Sequence, residues 1–116
     1  MGLIYHLALE ANWHEALAAD DGYRISSVDR TLEQEGFIHC SFAEQVQGSA
    51  DRFYQGRHGV LLLSIDTELL DVELRVDPAG SSGQGFPHLY GPLNLEAVVD
   101  VTPLATDPDG RVLTGL

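Results

Sequence analysis

The stretch VLLLSI at residues 60–65 decides the class of fold that the sequence predicts. A run of β-branched and leucine side chains of this length is typical of a strand buried on both faces at the centre of a sheet. Two helical patterns precede it, and the strand patterns that follow are not separated by long helices. Because the helices come early and the strands late, we predict an α+β domain and not a regularly alternating parallel sheet.

The start of the chain predicts a buried strand followed by a helix. Residues 3–8 are apolar on both alternating faces, and His6 is the exception among them. Asn12 and Glu15 have the spacing of a capping box, and apolar residues then repeat at helical spacing. A first helix is therefore expected to end at about Ala19.

Short elements are expected between this helix and the central strand. A single helical turn is predicted over residues 28–33, and a short apolar strand over residues 37–40. Ser41 begins a capping-box pattern, so a second helix is expected to start there and to end before Gly56.

The second half of the chain predicts strands and loops. Residues 72–76 alternate as a half-exposed strand does, and residues 86–92 form another strand-like segment. The glycine-rich loop over residues 80–85 is expected to be a lid beside the binding cleft. A last strand is expected over residues 98–104.

Charge and length limit the classes of function. The chain has 116 residues and a formal net charge of -12, from eighteen acidic residues and six arginines. This charge repels phosphate backbones and anionic headgroups, so no broad nucleic-acid or membrane-binding face is expected. The length fits one domain, placed at residues 1–106, with a short C-terminal tail over residues 107–116. One cysteine and no signal-peptide pattern favour a soluble protein of the cytoplasm.

Histidines are the most informative polar residues of the sequence. Three of them lie in or beside short apolar segments: His6, His39 and His88. The other two, His14 and His58, fall on a helix surface and in a glycine loop, where solvated side chains are expected. A buried imidazole must find a hydrogen-bond partner, so the first three are candidates to line one cleft. The alternative is three unrelated core histidines, each paired with a neighbouring backbone group.

His39 and Cys40 have different expected roles although they are adjacent. The helix expected just after His39 would direct backbone N–H groups at an oxygen ligand beside it, which makes Ser41 a further binding candidate. The alternative is that Ser41 only caps the helix and that nothing binds there. Cys40 should point to the opposite face of the strand and is expected to be a buried thiol. A zinc site from Cys40 and the three histidines is an alternative, but the ligands are not closely paired, so no metal is expected.

Three motifs together resemble the domain of unknown function 952 family. They are IYHLA at residues 4–8, EGFIHCSFA at residues 35–43 and FPHLYGP at residues 86–92. The resemblance extends from about Leu3 to Leu104. The family name by itself implies no activity.

The order of the motifs is also similar, more distantly, to the ADP-ribosyltransferase superfamily, including poly-ADP-ribose polymerase catalytic domains. That resemblance implies a split β-sheet with two main helices and a cleft for NAD. It gives His6 the first-strand role of hydrogen-bonding the adenosine-side ribose, and it gives His39 the second-strand position against nicotinamide. Residues 88–90 would then occupy the third motif.

The resemblance implies a transferase that cleaves the bond between nicotinamide and ribose, with the acceptor left open. Its expected catalytic residues are His39, His88 and Tyr90, and its expected NAD-binding residues are His6, His39 and Ser41. Many active transferases place a glutamate in the third motif, to stabilise an oxocarbenium-like transition state, and residues 88–90 contain no acid. The alternative is a non-catalytic module that binds NAD or ADP-ribose.

Overall fold

Residues 2–78 and 84–116 are described by a computed structural model. The strands in this part of the chain are β1 (Leu3–Leu9), β2 (Ile25–Ser27), β3 (Arg30–Thr31), β4 (Ile38–His39), β5 (Val60–Asp66), β6 (Leu74–Pro78), β7 (Gly85–Leu89), β8 (Val98–Pro103), β9 (Ala105–Thr106) and β10 (Val112–Leu113). The α-helices are α1 (Glu10–Ala19), α2 (Leu32–Glu35) and α3 (Val46–Phe53), and short 3-10 turns cover Ala43–Gln45, Thr67–Leu69 and Leu95–Ala97.

The central strand expected from VLLLSI is confirmed as β5. It lies between β1 and β8 in a three-stranded antiparallel sheet. Residues 60–65 are all buried, as the absence of polar alternation predicts. In the register of β1 against β5, His6 lies opposite Leu63, so His6 is held in the middle of a strand and not at its frayed end.

A second antiparallel sheet has the strand order β4-β7-β6. His39 lies directly opposite His88 in it. Tyr5 and Ser41 exchange two backbone hydrogen bonds, both 2.8 Å long, and this bridge joins β1 to the segment after β4. The two sheets therefore meet beside His6, and the bridge brings His6 and His39 together.

The start of the first helix differs from the prediction. α1 begins at Glu10, directly after β1, and its N-cap residue Leu9 makes no side-chain capping bond. Asn12 and Glu15 therefore lie inside the helix, and the capping-box prediction for them is wrong. The backbone of Glu10 instead donates to the carbonyl oxygen of Gly59, 2.8 Å away. The end at Ala19 is confirmed, and Asp20 there adopts the left-handed conformation, with φ 53°.

Ser41 does not cap the second helix, which corrects another prediction. Its backbone is used in the bridge to Tyr5, and its hydroxyl lies 3.0 Å from that of Ser49. The chain makes a 3-10 turn first, and α3 begins only at Val46. The capping-box pattern is present in the sequence. In the structure, however, Ser41 pairs with Tyr5 between the two sheets and does not cap a helix.

Residues 25–35 form a hairpin and a short helix where a single turn was expected. β2 pairs with β3, and Thr31 then caps α2 in a complete capping box with Gln34. The Thr31 hydroxyl accepts from the Gln34 backbone at 3.2 Å, and the Gln34 side chain accepts from the Thr31 backbone at 2.9 Å. The helical turn expected at residues 28–33 is therefore shifted toward the C-terminus.

Two clusters of buried side chains form the core. The larger lies between α1 and the sheets and includes Trp13, Tyr23 and Leu63. The smaller packs α3 against β1 and β5, and it includes Val112 from the C-terminal hairpin of β9 and β10. Val112 is fully buried.

The fold is α+β, with several small antiparallel sheets and few helices, as the order of elements predicts. β6 begins two residues later than expected, because Val72 packs against the core without pairing as a strand. The predicted glycine-rich lid falls largely on residues 79–83, which lie outside the described residues. No helix among residues 2–78 and 84–116 is long and apolar enough to cross a bilayer.

Candidate functional site

Three strands bring the three selected histidines into one place. His6 comes from β1, His39 from β4 and His88 from β7. His6 and His88 are buried and His39 is partly buried. The other two, His14 and His58, are exposed, as predicted. Positions from distant parts of the sequence thus share one site.

Backbone contact fixes the orientation of His6. Its Nδ1 atom lies 2.7 Å from the carbonyl oxygen of His39. Because a carbonyl oxygen only accepts, Nδ1 must carry the proton. Burial lowers the pKa of His6 to about 4, against the opposing effect of its hydrogen bond to the His39 carbonyl. At neutral pH the ring is uncharged, and its Nε2 atom is an unprotonated acceptor.

A chain of side-chain hydrogen bonds extends from His39. Nδ1 of His39 lies 3.3 Å from Nε2 of His88, and Nδ1 of His88 lies 2.8 Å from Oδ2 of Asp77. The Tyr90 hydroxyl donates to the same Asp77 oxygen. Hydrogen bonds from Tyr90 and His88 hold the pKa of Asp77 below its usual value, so this carboxylate is ionised at neutral pH.

The ionised carboxylate of Asp77 determines where the protons lie. Since Oδ2 can only accept, Nδ1 of His88 carries a proton, and Nε2 of a neutral His88 is an acceptor. His39 then donates from Nδ1. Burial, with smaller contributions from the neighbouring His88, His6 and Arg52 side chains, lowers the pKa of His39 to about 4. Neutral His39 therefore has an unprotonated Nε2 atom, as His6 has.

Both unprotonated Nε2 atoms lack a protein partner. They are buried, and neither has a hydrogen-bond partner in the part of the chain that the structure describes. Both rings line one narrow cavity of about 10 Å³, with room for about one water molecule. Its other lining residues are Tyr5, Leu7, Ser26, Ser27, Ser41, Ser49, Phe53 and Tyr54. Unpaired buried acceptors are costly, so a hydrogen-bond donor that enters this cavity would be stabilised by these two atoms.

Aromatic side chains enclose the histidine cluster. The Phe37 ring stacks on His88 with 4.0 Å between ring centroids. Phe53 meets His39 edge-on at 6.0 Å, and 40% of Phe53 is exposed to solvent. Arg75 lies 4.5 Å from the centre of the Tyr90 ring. The rings hold the imidazoles in place, and the exposed Phe53 is the outermost of them.

The expected ligand site at a helix start is not present. α3 begins seven residues after His39, and a 3-10 turn fills the space between. The backbone N–H of Phe42 is paired with the Gln45 side chain, and that of Gln45 with the Phe42 carbonyl. Ser41 lines the cavity, but its hydroxyl is engaged with Ser49.

Asp77 is a member of the site that the sequence did not single out. It pairs with Phe86 on β7, and His88 pairs with Arg75, so Asp77 and His88 are diagonal neighbours across two strands. Nothing in the local sequence distinguishes this carboxylate from the other seventeen. Ser26 was also missed; its hydroxyl accepts from the His39 backbone at 3.2 Å.

Cys40 is a buried thiol of the core, as predicted. Only 1% of it is exposed, and burial raises the pKa of the thiol, which keeps it protonated. Within residues 2–78 and 84–116, no group of His, Cys, Asp or Glu side chains is arranged to hold a metal ion.

A larger cleft lies elsewhere on the surface, with a volume of about 430 Å³. Carboxylates surround it, from Asp20, Asp21, Asp71 and Glu96. An acidic rim of this kind repels phosphorylated ligands, and the cleft contains no histidine. The smaller, histidine-lined cavity is therefore the better candidate for the functional site.

Comparison with known proteins places these features in a family. Residues 7–101 match the family described as "Protein of unknown function (DUF952)". The crystal structure of protein CC0527 from Caulobacter crescentus is similar, with 33% identity and a TM-score of 0.84 over 97% of this chain and 95% of that one. The solution NMR structure of CC0527 has 35% identity and a TM-score of 0.74 over 97% and 91%. No curated protein matches the chain.

Proposed function

The chain belongs to the DUF952 family, and from its histidine-lined cavity we propose that it is an ADP-ribosyltransferase-like enzyme that binds NAD. The reaction is cleavage of the bond between nicotinamide and ribose. The two sheets that meet at the Tyr5–Ser41 bridge are proposed to correspond to the split sheet of that superfamily. His6 and His39 lie beside this junction, and the proposal places NAD there.

One observation carries the proposal: two unprotonated, unpaired Nε2 atoms belong to rings that line one cavity. Such atoms accept hydrogen bonds and repel anionic oxygens. Hydroxyl groups are the donors that match them, and a ribose carries adjacent hydroxyls. This favours a nucleotide held by its sugar over a ligand held there by its phosphate, with His6 as the acceptor for a ribose hydroxyl and His39 as the acceptor for the hydroxyl or water that attacks ribose.

In this proposal, the Asp77 carboxylate takes the place of the acid that the third motif lacks. It comes from β6 and is held beside the motif by His88 and Tyr90. Asp77 does not line the cavity, so in the proposed enzyme its negative charge acts through His88 and His39 on the positive charge that develops as nicotinamide leaves with the bonding electrons. His88 and Tyr90 hold the carboxylate in position.

NAD requires the cavity to open. A volume of about 10 Å³ holds a water molecule and not a nicotinamide ring. Phe53 is the natural side chain to move, because it lies at the C-terminal end of α3, contacts His39 edge-on and is already 40% exposed. Displacement of the Phe53 side chain makes the His39 ring accessible to a ligand and leaves the strand pairing of both sheets intact.

Calorimetry with NAD and ADP-ribose, together with an assay for released nicotinamide, tests the proposal. We expect saturable binding to the wild type and slow nicotinamide release. His39→Ala and His6→Ala should weaken binding by about tenfold or more, the equivalent of one lost hydrogen bond to a ligand. His14→Ala is the matched control, since His14 is exposed. Absence of both binding and release with the wild type would refute the proposal.

A non-catalytic module that binds NAD or ADP-ribose is the second candidate. The observation that favours it is that one oxygen of Asp77 already accepts from both His88 and Tyr90, so its charge is partly satisfied before any substrate binds. This candidate predicts saturable, His39-dependent binding with no nicotinamide release at any pH. Turnover that His39→Ala abolishes would exclude it.

A further inference from the structure

Four polar side chains form a continuous line from β6 to the cavity. Asp77, His88 and His39 follow one another through contacts of 2.8 Å and 3.3 Å, and Tyr90 joins at the Asp77 end. His88 is 8% exposed at its side chain, whereas the Asp77 side chain is 32% exposed. The line thus leads from a partly solvated charge to the unpaired Nε2 atom of a partly buried imidazole.

We infer that Asp77 is a positioning residue that, through His88, holds Nε2 of His39 unprotonated as the proton acceptor for the group that attacks ribose. The identity of the substrate rests on the proposed function. The arrangement of protons does not, because Asp77 Oδ2 can only accept from Nδ1 of His88, and Nε2 of a neutral His88 then accepts from Nδ1 of His39. His39 is the catalytic residue of this arrangement, and Asp77 acts on it from two side chains away.

A water or hydroxyl acceptor attacks C1′ of ribose and forms a C–O bond, while the C1′–N bond breaks and its electron pair leaves with neutral nicotinamide. The acceptor's proton moves to Nε2 of His39, and the Nδ1 proton of His39 moves to Nε2 of His88. His88 becomes an imidazolium next to the Asp77 carboxylate, which stabilises its charge.

Geometry separates this role from a structural one. Phe37 stacks on His88, so packing alone supports the position of the ring. Packing cannot distinguish one protonated ring nitrogen from the other, because the two tautomers have the same shape. Only a hydrogen-bond partner makes that distinction, and for His88 it is the Asp77 carboxylate.

Nitrogen NMR of the histidine rings tests the inference directly. At neutral pH, ¹⁵N shifts should show His39 and His88 of the wild type protonated at Nδ1 and unprotonated at Nε2. Asp77→Ala should move the resonances of both rings toward averaged positions. Asp77→Asn retains an oxygen that accepts from His88 and Tyr90 and should restore the tautomers, but without the charge. Asp100→Ala, which removes an exposed carboxylate from β8, should change neither ring.

Kinetics provide the second readout. If NAD is cleaved, Asp77→Ala and Asp77→Asn should both lower kcat by about 10²-fold with little change in KM, because the imidazolium is no longer stabilised. A His39 ring protonated at Nε2 in the wild type, or tautomers unchanged in a folded Asp77→Ala, would overturn the inference. The expected tautomers without any NAD binding would instead refute the proposed function alone.

Discussion

Buried imidazoles at the site make the stability of the protein depend on pH. The pKa of His6 is lowered by burial from 6.5 to about 4, so the unfolded chain binds more protons than the folded one between these values. The stabilisation from neutral His6 is therefore complete above pH 6.5 and is lost as the pH falls through 6.5 toward 4. The loss is on the order of 3 kcal/mol. His39 has a shift in the same direction and adds to the effect.

Urea unfolding at a series of pH values from about 7 to about 4 measures this dependence. We expect the free energy of unfolding to fall steadily as the pH is lowered. His6→Gln should flatten the curve, and His14→Gln, at an exposed position, should leave its slope unchanged. A free energy that stays constant over this range in the wild type would contradict the assigned burial of His6.

Some residues of the site can be identified from the sequence alone, and others cannot. His6 and His39 stand out because each interrupts an apolar run, which is a local signal. Asp77 becomes part of the site only through the pairing of β6 with β7, and one carboxylate in an alternating strand has no local signal. Ser26 is hidden for the same reason, since its partner His39 is thirteen residues away.

At the level of the element, two glycines should respond in opposite ways to substitution. Gly22 has φ +95°, and a Cβ atom there would lie 3.0 Å from Cβ of Pro92 and 3.4 Å from the carbonyl oxygen of Leu93. Gly22→Ala should therefore destabilise by about 1–3 kcal/mol. Gly48 lies inside α3 with open space around it, so Gly48→Ala should stabilise by about 0.5–1 kcal/mol.

Thermal unfolding of the two alanine variants checks this pair. A lower midpoint for Gly22→Ala and a higher one for Gly48→Ala are expected. Shifts in the same direction would show that the helix interior at Gly48, or the turn at Gly22, has a different backbone conformation from the one described.

Helix starts show why some elements were placed inaccurately. Asn12 and Ser41 both begin capping patterns, but α1 starts at Glu10 and α3 at Val46. In each case a nonlocal backbone contact accompanies the difference, since the Glu10 N–H donates to the Gly59 carbonyl and Ser41 pairs with Tyr5. Local patterns predicted that helices exist there, and nonlocal pairing fixed their first residues.

For the whole molecule, the C-terminal hairpin is expected to contribute to stability. Val112 is fully buried in the cluster that packs α3 against β1, whereas its neighbour Leu113 is 43% exposed. Val112→Ala should cost about 2–3 kcal/mol, and Leu113→Ala should change stability by less than about 0.5 kcal/mol. Chemical denaturation of the two variants provides the comparison. Equal effects would mean that Val112 is not a core residue.

Fold class was predictable because it depends on the order of elements, which the sequence displays. The pairing of strands into sheets was not predictable. β4 pairs with β7 and β1 pairs with β5, and the two strands of each pair are far apart in the sequence. Hydrophobic periodicity identifies a strand but does not name its partner. The site lies where two such pairings meet, so its candidate residues could be chosen from the sequence while its hydrogen-bond network could not.

The pairing of β1 with β5 also has a consequence for how the protein folds during synthesis. Leu3 pairs with Asp66, so β1 has no partner strand until β5 has been synthesised as far as Asp66. The rate of folding falls as contacts become more distant in sequence. His88 is added later still, so the three histidines can come together only after residue 88 has been synthesised.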